Sequence, residues 1–496
     1  MTRNPRQPIV NFLTEEELNE IHFASLEILE RTGVQIHHEA ARDLLYSAGA
    51  YVENDLRVRI PSQLVKVALN SAPERIVIAD RLSNRRMFLE GRKVYFGTGS
   101  DLKYTMDSNT HERRLSVLKD IEDAALVSDF LPNIDFLMSY ALASDVDVYT
   151  SDLHTLYAML KNSVKPMIIT AASADQGILD DIYEIACCVT GSREQFLKNP
   201  FFMFYGQFIS PFVHNREGLE RLLFCAEKNI PIIYIPTIMA GATGPATMAG
   251  AIAVGNAEAL VGLVISQLKN PGSPFIYGGC VSSFDMRYAM LPYGAPEWHI
   301  ASAVLSQLSQ RYSLPLFSTG GCTDAKVVDE QAAIEGAYSI LLAALSGANL
   351  IHDVGYLESG LTGSLDYLVM MDETIGLTKR ILGNFEVNAE TLALDVVHNV
   401  GPGGHFFTEE HTLRHYRAET WYPTLMDRRT YEDWSKDEGL ALERSEGMTL
   451  KESAQGKVAE ILNTHRPEPI EDDIASEIER IIHSAERQMR SSGNMD

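Results

Sequence analysis

Short apolar runs recur between Lys93 and Val354, and most of them are followed by a helical pattern. Continuous apolar runs that alternate with helices are typical of parallel strands buried on both faces. The eight runs span residues 94–96, 134–141, 166–171, 201–209, 230–235, 274–277, 315–317 and 349–354. Eight such units match a closed barrel better than an open doubly wound sheet, and no GxGxxG motif marks a strand–helix junction. We therefore predict an α/β fold, a (β/α)8 TIM barrel.

The segments on either side of this region lack the alternation. Thr14 is followed by three glutamates, which predicts a capped helix near the start of the chain. After Gly383 the chain becomes aromatic and histidine-containing, and then charged and helical. We predict an N-terminal helical cap over residues 1–85, the barrel over 86–383, and a C-terminal helical and irregular extension over 384–496. This extension is interpreted as a lid or an assembly region, and we expect a homo-oligomer.

The composition argues against some classes of partner. The formal net charge is −25 at pH 7, and a surface that negative repels phosphate backbones and anionic membranes. Nucleic acid and membranes are therefore not expected as partners, whereas a cationic ligand is compatible with the charge. The longest mildly apolar stretch, residues 249–268, contains Asn256 and Glu258 and is predicted to be a buried helix. Five cysteines without a CxxC motif favour reduced thiols in a cytoplasmic protein.

Aromatic residues stand at five of the predicted strand ends, next to glycine or a small polar residue. If these rings face inward they form a cup, because each aromatic face attracts a quaternary ammonium ion by about 0.5–2 kcal/mol. Aromatic residues are also favoured in any strand, and half of them then point outward. The candidate substrate-binding residues are Tyr95, Phe96, Tyr205, Gln207, Phe317 and Tyr356.

The last predicted strand ends in His352 and Asp353, which with Asp324 are the candidate catalytic and positioning residues. A histidine and a carboxylate at a strand end can bind and orient a substrate or act as a general base. They can also ligate a metal together with Asp285 and Glu297, so a metal-dependent barrel hydrolase stays open as an alternative. No HxH or HExxH motif occurs, and we predict no metal at this site.

Two glycine-rich stretches follow other predicted strands. Gly241 and Gly244 lie in the first, which lacks the GK[ST] ending of a phosphate-binding loop, and Gly278 and Gly279 lie in the second. Glycines without side chains allow a large flat ligand or a partner's surface to approach the backbone. An ordinary turn is the alternative interpretation. These four glycines are the candidate cofactor-binding residues.

The order and spacing of several segments resemble the trimethylamine methyltransferase (MttB) family over nearly the whole chain. The matching segments are LEILERTGV, FGTGSD, YGGCVSSFDMRYAMLPYGAPE, STGGCTDAKVVDEQAAIEG and the strand end at His352 and Asp353. The resemblance implies a TIM barrel that removes a methyl group from a methylated amine. It also implies that the methyl group passes to a corrinoid, cob(I)alamin in its reduced form, which a partner protein carries.

Founding members of that family carry pyrrolysine in the barrel, whereas this sequence has only standard residues. Similar members without pyrrolysine act on quaternary amines such as glycine betaine, proline betaine or carnitine. The resemblance therefore implies a quaternary amine:corrinoid methyltransferase. A non-catalytic quaternary-amine binder and the metal-dependent hydrolase remain as alternatives.

Overall fold

The structure is a computed structural model, and it describes residues 8–108, 110, 112–171, 176–435 and 448–491. The strands are β1 Val34–Ile36, β2 Tyr51–Glu53, β3 Arg57–Arg59, β4 Ile76–Ala79, β5 Arg85–Leu89, β6 Tyr95–Phe96, β7 Tyr104–Met106, β8 Arg113–Leu115, β9 Met167–Ile169, β10 Phe202–Gln207, β11 Val213–His214, β12 Ile232–Ile235, β13 Thr237–Ala240, β14 Phe275–Gly278, β15 Cys280–Ser283, β16 Leu316–Thr319, β17 Leu350–His352, β18 Tyr356–Leu357 and β19 Thr362–Gly363.

The α-helices are α1 Glu15–Glu27, α2 Glu39–Ser47, α3 Ser62–Ser71, α4 Leu118–Phe130, α5 Ser151–Asn162, α6 Gln176–Thr190, α7 Arg193–Lys198, α8 Arg216–Lys228, α9 Met248–Lys269, α10 Pro296–Tyr312, α11 Glu330–Ser346, α12 Leu365–Leu382, α13 Ala389–Leu392, α14 Leu394–Val400, α15 Glu410–Glu419, α16 Tyr431–Trp434, α17 Leu450–Thr464 and α18 Asp472–Ser491. A π-helical turn over Ile28–Thr32 continues α1.

The central sheet is parallel and has the strand order β6-β17-β16-β14-β12-β10-β9. Its strands coincide with seven of the eight predicted apolar runs, so the α/β class and the parallel sheet are confirmed. The eighth run, residues 134–141, makes isolated parallel bridges to both edges of this sheet. Gly97 pairs with Phe136 on one side, and Leu137 pairs with Met167 on the other.

Alternate residues of each strand belong to two separate apolar clusters. Met203 and Tyr205 of β10 belong to an inner cluster, whereas Phe202 and Phe204 belong to the larger cluster that includes the surrounding helices. This period of two is what a sheet with both faces covered requires. The hairpin of β4 and β5 adds four side chains to the inner cluster, which are Ile76, Ile78, Met87 and Leu89.

The N-terminal region, predicted as a helical cap, contains strands in addition to helices. The capped start is confirmed, since the Thr14 hydroxyl accepts a hydrogen bond from the Glu17 amide and the Glu17 carboxylate accepts one from the Thr14 amide. However, β1, β2 and β3 form a sheet with β11. The turn between β2 and β3 places Asn54 and Asp55 at positive φ, as hairpin turns favour. The predicted boundary between the N-terminal cap and the barrel, at residue 85, stays a prediction. Residue 85 is the first residue of β5.

Helix α9 is the buried helix that the sequence predicts, and it packs against α1, α3 and α8. Of the helices among the described residues, α9 alone is long and apolar enough to cross a membrane, and most of its apolar stretch lies inside the protein. Its Glu258 carboxylate is buried and accepts hydrogen bonds from the Ser210 hydroxyl and the Phe212 amide. The helix therefore forms part of the core and fixes the loop after β10.

The C-terminal extension has two parts that differ in burial. Helix α17 packs against α12 and α4, and α18 packs against α6, on the outer helices. Residues 383–424, which we call the C-terminal arm, contain α13, α14 and α15 and include no buried residue. The arm returns to the body of the protein where Arg380 donates a hydrogen bond to the Glu419 carbonyl.

Candidate active site

The parallel strands end at a common edge, where side chains from different strands meet. The register places Thr319 of β16 beside His352 of β17 and Gln207 of β10 beside Ile235 of β12. We call this edge the mouth. It is formed by Asp101, Tyr205, Gln207, Thr237, Tyr293, Phe317, Thr319, His352, Asp353 and Tyr356.

One wall of the mouth is aromatic. The ring centroids of Tyr205 and Phe317 are 5.6 Å apart with planes at 54°, and Phe317 stacks on the His352 imidazole at 4.0 Å. Tyr205 and Phe317 also belong to the inner cluster, so both rings face inward, an orientation that the sequence left open. A tilted pair of rings of this kind presents the electron-rich faces that attract a cation.

Tyr293 is a mouth residue to which the sequence analysis gives no role. It lies in the loop between β15 and α10, and its ring packs on Trp298 with centroids 4.4 Å apart. Burial raises the pKa of its hydroxyl well above the ordinary value, and the neighbouring Asp353 and Cys280 raise it further. Tyr293 therefore faces the same space as Asp353. The turn-forming Pro292 and Gly294 beside it were the available signal.

His352 and Asp353 form a buried pair at the end of β17. The Asp353 Oδ2 atom lies 3.2 Å from His352 Nε2 and accepts a hydrogen bond from the Thr319 hydroxyl at 3.3 Å. His352 Nδ1 lies 2.7 Å from the carbonyl oxygen of Ser318. Because a carbonyl oxygen can only accept, Nδ1 carries a proton and donates it to Ser318.

This tautomer decides how the pair holds its proton. In a neutral His352 the Nε2 atom is an acceptor, so the short contact with Asp353 needs a proton between the two groups. Burial lowers the pKa of His352 to about 4 and raises the pKa of Asp353 to about 8. Both shifts favour a neutral imidazole beside a protonated carboxyl group. The pair thus stores one proton that a bound cation would displace.

Asp101 is a second carboxylate at the mouth, and the sequence analysis did not select it. It accepts hydrogen bonds from the Ser100 hydroxyl at 2.9 Å and from the Thr170 hydroxyl at 3.3 Å. Burial raises the pKa of Asp101 to about 6, even though part of the side chain reaches solvent. Asp101 and Asp353 both have positive φ values, 67° and 72°. Such strained backbone is common in active sites.

Tyr356 lies against both acidic residues. Its hydroxyl donates a hydrogen bond to the Ser100 carbonyl, and its side chain is buried. Asp353 and Asp101 both raise the pKa of this hydroxyl, after burial itself, which is the largest cause. A side chain at Gly99 would place its Cβ 2.2 Å from the Tyr356 hydroxyl and 2.2 Å from Asp353 Oδ1. Gly99 therefore allows the loop after β6 to approach this pair.

Gln207 lies at the outer rim of the mouth and its side chain is exposed. The side-chain amide of Gln207 donates a hydrogen bond to the Thr237 hydroxyl. Gln207 ends β10, and Thr237 begins β13, which follows β12, the neighbour of β10 in the central sheet. Their amide and hydroxyl are two groups that can hydrogen-bond to an anionic group of a ligand.

Asp324 holds the Tyr293 loop. Its Oδ1 atom accepts hydrogen bonds from the Tyr293 amide at 2.7 Å and the Ser359 hydroxyl at 2.7 Å. Its Oδ2 atom accepts one from the Gly294 amide at 3.0 Å. These bonds engage both carboxylate oxygens, so Asp324 positions the Tyr293 loop, and the catalytic role predicted for it stays a prediction.

The variant Asp324→Ala should lower the free energy of unfolding by about 1–3 kcal/mol and should also weaken cation binding, because Tyr293 loses its support. Asp285→Ala is the matched control. Asp285 lies in the same loop, and its carboxylate accepts from the amides of Arg287 and Tyr288. Urea unfolding measures the free energy of unfolding, and calorimetric titration measures the affinity for the cation. Equal behaviour of the two variants would contradict the role given to Asp324.

Other predicted residues lie away from the mouth. Phe96 belongs to the outer cluster, so its ring faces the helices. Tyr95 faces inward, but its hydroxyl accepts a hydrogen bond from the Phe88 amide at the β4–β5 hairpin. Odd and even positions of a strand face opposite sides, and the sequence alone did not fix which side was which. Neither residue is kept in the site.

The four predicted glycines divide into two pairs. Gly278 and Gly279 are buried, and a Cβ at Gly278 would lie 2.4 Å from the Phe317 carbonyl oxygen. Close packing of β14 on β16 explains that glycine, so a cofactor contact is not needed to explain it. Gly241 has φ 96° and lies with Gly244 in the partly exposed turn after β13. Their cofactor-binding role stays a prediction.

A cavity of about 710 Å³ lies elsewhere, between α4, α12, α17 and the end of the arm. Its lining includes three acidic residues, Asp372, Glu373 and Glu460, and hydrogen bonds already engage all three carboxylates, that of Glu460 through Lys457. Asp372 accepts from Asn133, and Glu373 accepts from Thr424, Leu425 and Met426. The cavity therefore offers fewer free polar groups than the mouth, despite its size.

The family model described as trimethylamine methyltransferase (MTTB) matches residues 2–490. A glycine betaine methyltransferase of Desulfitobacterium hafniense (strain Y51) is 30% identical over 479 residues, 96% of this chain and 97% of that protein. MttB of Methanosarcina thermophila, a trimethylamine methyltransferase, is 33% identical over 486 residues, 95% and 96% of the two chains. The crystal structure of the Methanosarcina barkeri monomethylamine methyltransferase MtmB has a similar fold, with a TM-score of 0.50. The match covers 98% of this chain and 88% of that one, and the two sequences are 10% identical.

Proposed function

The chain belongs to the trimethylamine methyltransferase family, and from this membership we propose that it moves a methyl group from a quaternary amine to the corrinoid of a partner protein. Glycine betaine is the first candidate substrate, and proline betaine or carnitine are the others. The observation that carries the proposal is the mouth itself, where Tyr205, Tyr293 and Phe317 stand beside the carboxyl groups of Asp101 and Asp353. Rings and acids together suit a permanent cation.

The chemistry favours a quaternary substrate over a tertiary amine. When bound, the reduced corrinoid supplies a Co(I) nucleophile for one N-methyl carbon, and the C–N electron pair leaves with the nitrogen as a neutral tertiary amine. Because the substrate already carries its charge, the protein need not deliver a proton to the leaving group. Tyr205, Tyr293 and Phe317 then hold the ammonium group and exclude water, which fixes one methyl group toward the open edge.

The polar end of a betaine needs hydrogen-bond donors. The Gln207 amide and the Thr237 hydroxyl stand at the rim, on the side of Tyr205. We propose that they bind the betaine carboxylate, while Asp101 and Asp353 stay near the ammonium group. A carboxylate placed at the acids instead would suffer like-charge repulsion, so this arrangement also fixes the substrate's direction.

The surroundings of the mouth fit a large, flat, mostly apolar group. Exposed apolar side chains follow several strand ends, among them Leu142, Ile209, Met286 and Tyr288. Exposed apolar side chains around a site are typical of interaction surfaces. We propose that this rim and the turn at Gly241 and Gly244 receive the corrinoid and its carrier protein.

Three further features belong to this proposal. Residues 134–138 act as the eighth strand of a closed barrel, which their bridges to Gly97 and Met167 support. The C-terminal arm joins copies of the chain in a homo-oligomer, since it exposes Phe385, Leu394 and Phe407. The protein acts in the cytoplasm, where its five free thiols would stay reduced.

A single assay tests the function. Purified protein, cob(I)alamin and a panel of quaternary and tertiary amines are mixed, and methylcobalamin formation is followed by its absorbance. We expect transfer from glycine betaine or a related betaine and much slower transfer from trimethylamine. Binding of betaine without any transfer would favour the non-catalytic binder. Chelator-sensitive hydrolysis with no methyl transfer would favour the metal-dependent hydrolase.

A further inference from the structure

Three potential metal ligands meet in the C-terminal arm, away from the mouth. They are Glu390 of α13 and two histidines of α15, His411 and His415. One ligand atom from each residue lies within 4.8 Å of the other two. The two histidines are four residues apart on one helix, so their rings lie on the same face, with centroids 4.4 Å apart. Among the described residues, this cluster alone satisfies that spacing.

The distances in the cluster are close to those of an ion-binding site. The His415 Nε2 atom lies 3.1 Å from the Glu390 carboxylate, and a ring nitrogen of His411 lies within 4.8 Å of the ligand atoms of both other residues. The His411 Nε2 atom also lies 3.1 Å from the Glu390 backbone carbonyl oxygen, which is not one of the three ligand atoms. Bonds of about 2.0–2.2 Å to nitrogen and oxygen in a tetrahedral zinc site place neighbouring ligand atoms roughly 3.3–3.5 Å apart. Small rotations of the two rings would therefore bring all three ligand atoms onto one ion.

The arm needs an interaction that its own packing does not supply. No residue between 383 and 424 is buried, although three helices form there. A segment of about 40 residues without a buried core of its own is rarely fixed without a disulfide, a metal or an oligomeric contact. The arm contains no cysteine, so a disulfide is excluded. An ion that joins α13 to α15 would fix the 17-residue connection between them, residues 393–409.

We propose that Glu390, His411 and His415 form a binding site for a divalent transition-metal ion of the zinc class, which clamps α13 to α15. Three protein ligands leave a fourth position for water. Arg414 also approaches the Glu390 carboxylate at 3.0 Å, and it would have to move aside or share that oxygen. The site is independent of the proposed methyl transfer, so the two proposals can fail separately.

The test uses the full chain without a histidine tag. After dialysis against excess Zn²⁺ and then against metal-free buffer, elemental analysis should find roughly one zinc per chain. The double variant His411→Ala/His415→Ala should lose that zinc. The double variant His398→Ala/His405→Ala is the matched control, because it removes two histidines of the same arm that lie outside the cluster. Zinc retained equally by both variants would overturn the proposal.

Two further measurements do not depend on how the variants fold. Co²⁺ added to the unmodified protein should give the intense visible absorption of a four-coordinate site, and Zn²⁺ should remove it. Zn²⁺ should also slow proteolytic cleavage within residues 393–409 of the unmodified protein, because the ion would join the two ends of that connection. Weak absorption typical of hydrated Co²⁺, or cleavage unchanged by Zn²⁺, would overturn the proposal.

Discussion

Replacing Tyr205 and Tyr293 by leucine should weaken glycine betaine binding by a factor between about 5 and several hundred. Each aromatic face contributes about 0.5–2 kcal/mol to a quaternary ammonium ion, and about 1.4 kcal/mol corresponds to a tenfold change in Kd. Leucine keeps an apolar side chain against Phe317 and Trp298, so the fold should persist. Isothermal titration calorimetry with glycine betaine measures the change.

The control for this pair is Tyr46→Leu, at a tyrosine that is 69% exposed on α2. Tyr46→Leu should leave the affinity for glycine betaine unchanged. Circular dichroism and the thermal midpoint show whether the double variant remains folded. A folded Tyr205→Leu/Tyr293→Leu protein that binds glycine betaine with its original affinity would remove both rings from the site and with them the main support for the proposed substrate class.

The sequence predicts the framework of this fold because the framework depends on periodicity. Apolar runs that alternate with helical patterns locate β6, β9, β10, β12, β14, β16 and β17. Local capping chemistry is equally visible, since Thr14 and Glu17 form the predicted capping box. Both signals involve residues that are close in sequence, so no tertiary information is needed to read them.

The site is harder to predict because it depends on which face of a strand a residue occupies. Tyr95 and Phe96 are adjacent and aromatic, yet one ring faces inward at the hairpin end and the other faces the helices. The rings of Tyr205 and Phe317 do contact each other, because the register of β10, β12, β14 and β16 places the two residues at the same height along the strands. A shift of one residue in any strand would have reversed this outcome.

Contacts between distant loops escape prediction for a different reason. Asp324 looks like a strand-end acid, but its oxygens bind the amides of a loop some 30 residues earlier. Those bonds hold Tyr293 at the mouth, together with the packing of its ring on Trp298. Asp101 lies at the mouth because Gly99 lets its loop pass close to Asp353 and Tyr356. Such placements arise from tertiary packing, and neither propensity nor spacing encodes them.

The affinity for a quaternary amine should rise with pH up to about pH 8. In the free protein Asp353 shares a proton with His352, and burial raises the pKa of Asp353 to about 8. A bound cation favours the ionised carboxylate, so the pKa of Asp353 is lower in the complex. Below pH 8, and above the lowered pKa, binding therefore releases one proton. Each unit of rising pH in that window strengthens binding by up to tenfold, and above pH 8 the dependence disappears.

The variant Asp353→Asn separates this effect from other titrations. Asparagine cannot ionise, so the rise in affinity between pH 6 and pH 8 should vanish, and the affinity at pH 8 should fall by roughly tenfold to a hundredfold. Asp101, whose pKa burial raises to about 6, should still produce a weaker rise at lower pH. Calorimetry in two buffers of different ionisation enthalpy counts the released protons directly.

The control is Asp285→Asn, in the loop between β15 and α10. It should behave like the unmodified protein, because an amide oxygen can still accept from the backbone amides of Arg287 and Tyr288. If Asp353→Asn and the unmodified protein showed the same rise with pH, the proton displaced by the cation would have to come from another group, and Asp353 would not face the ammonium ion.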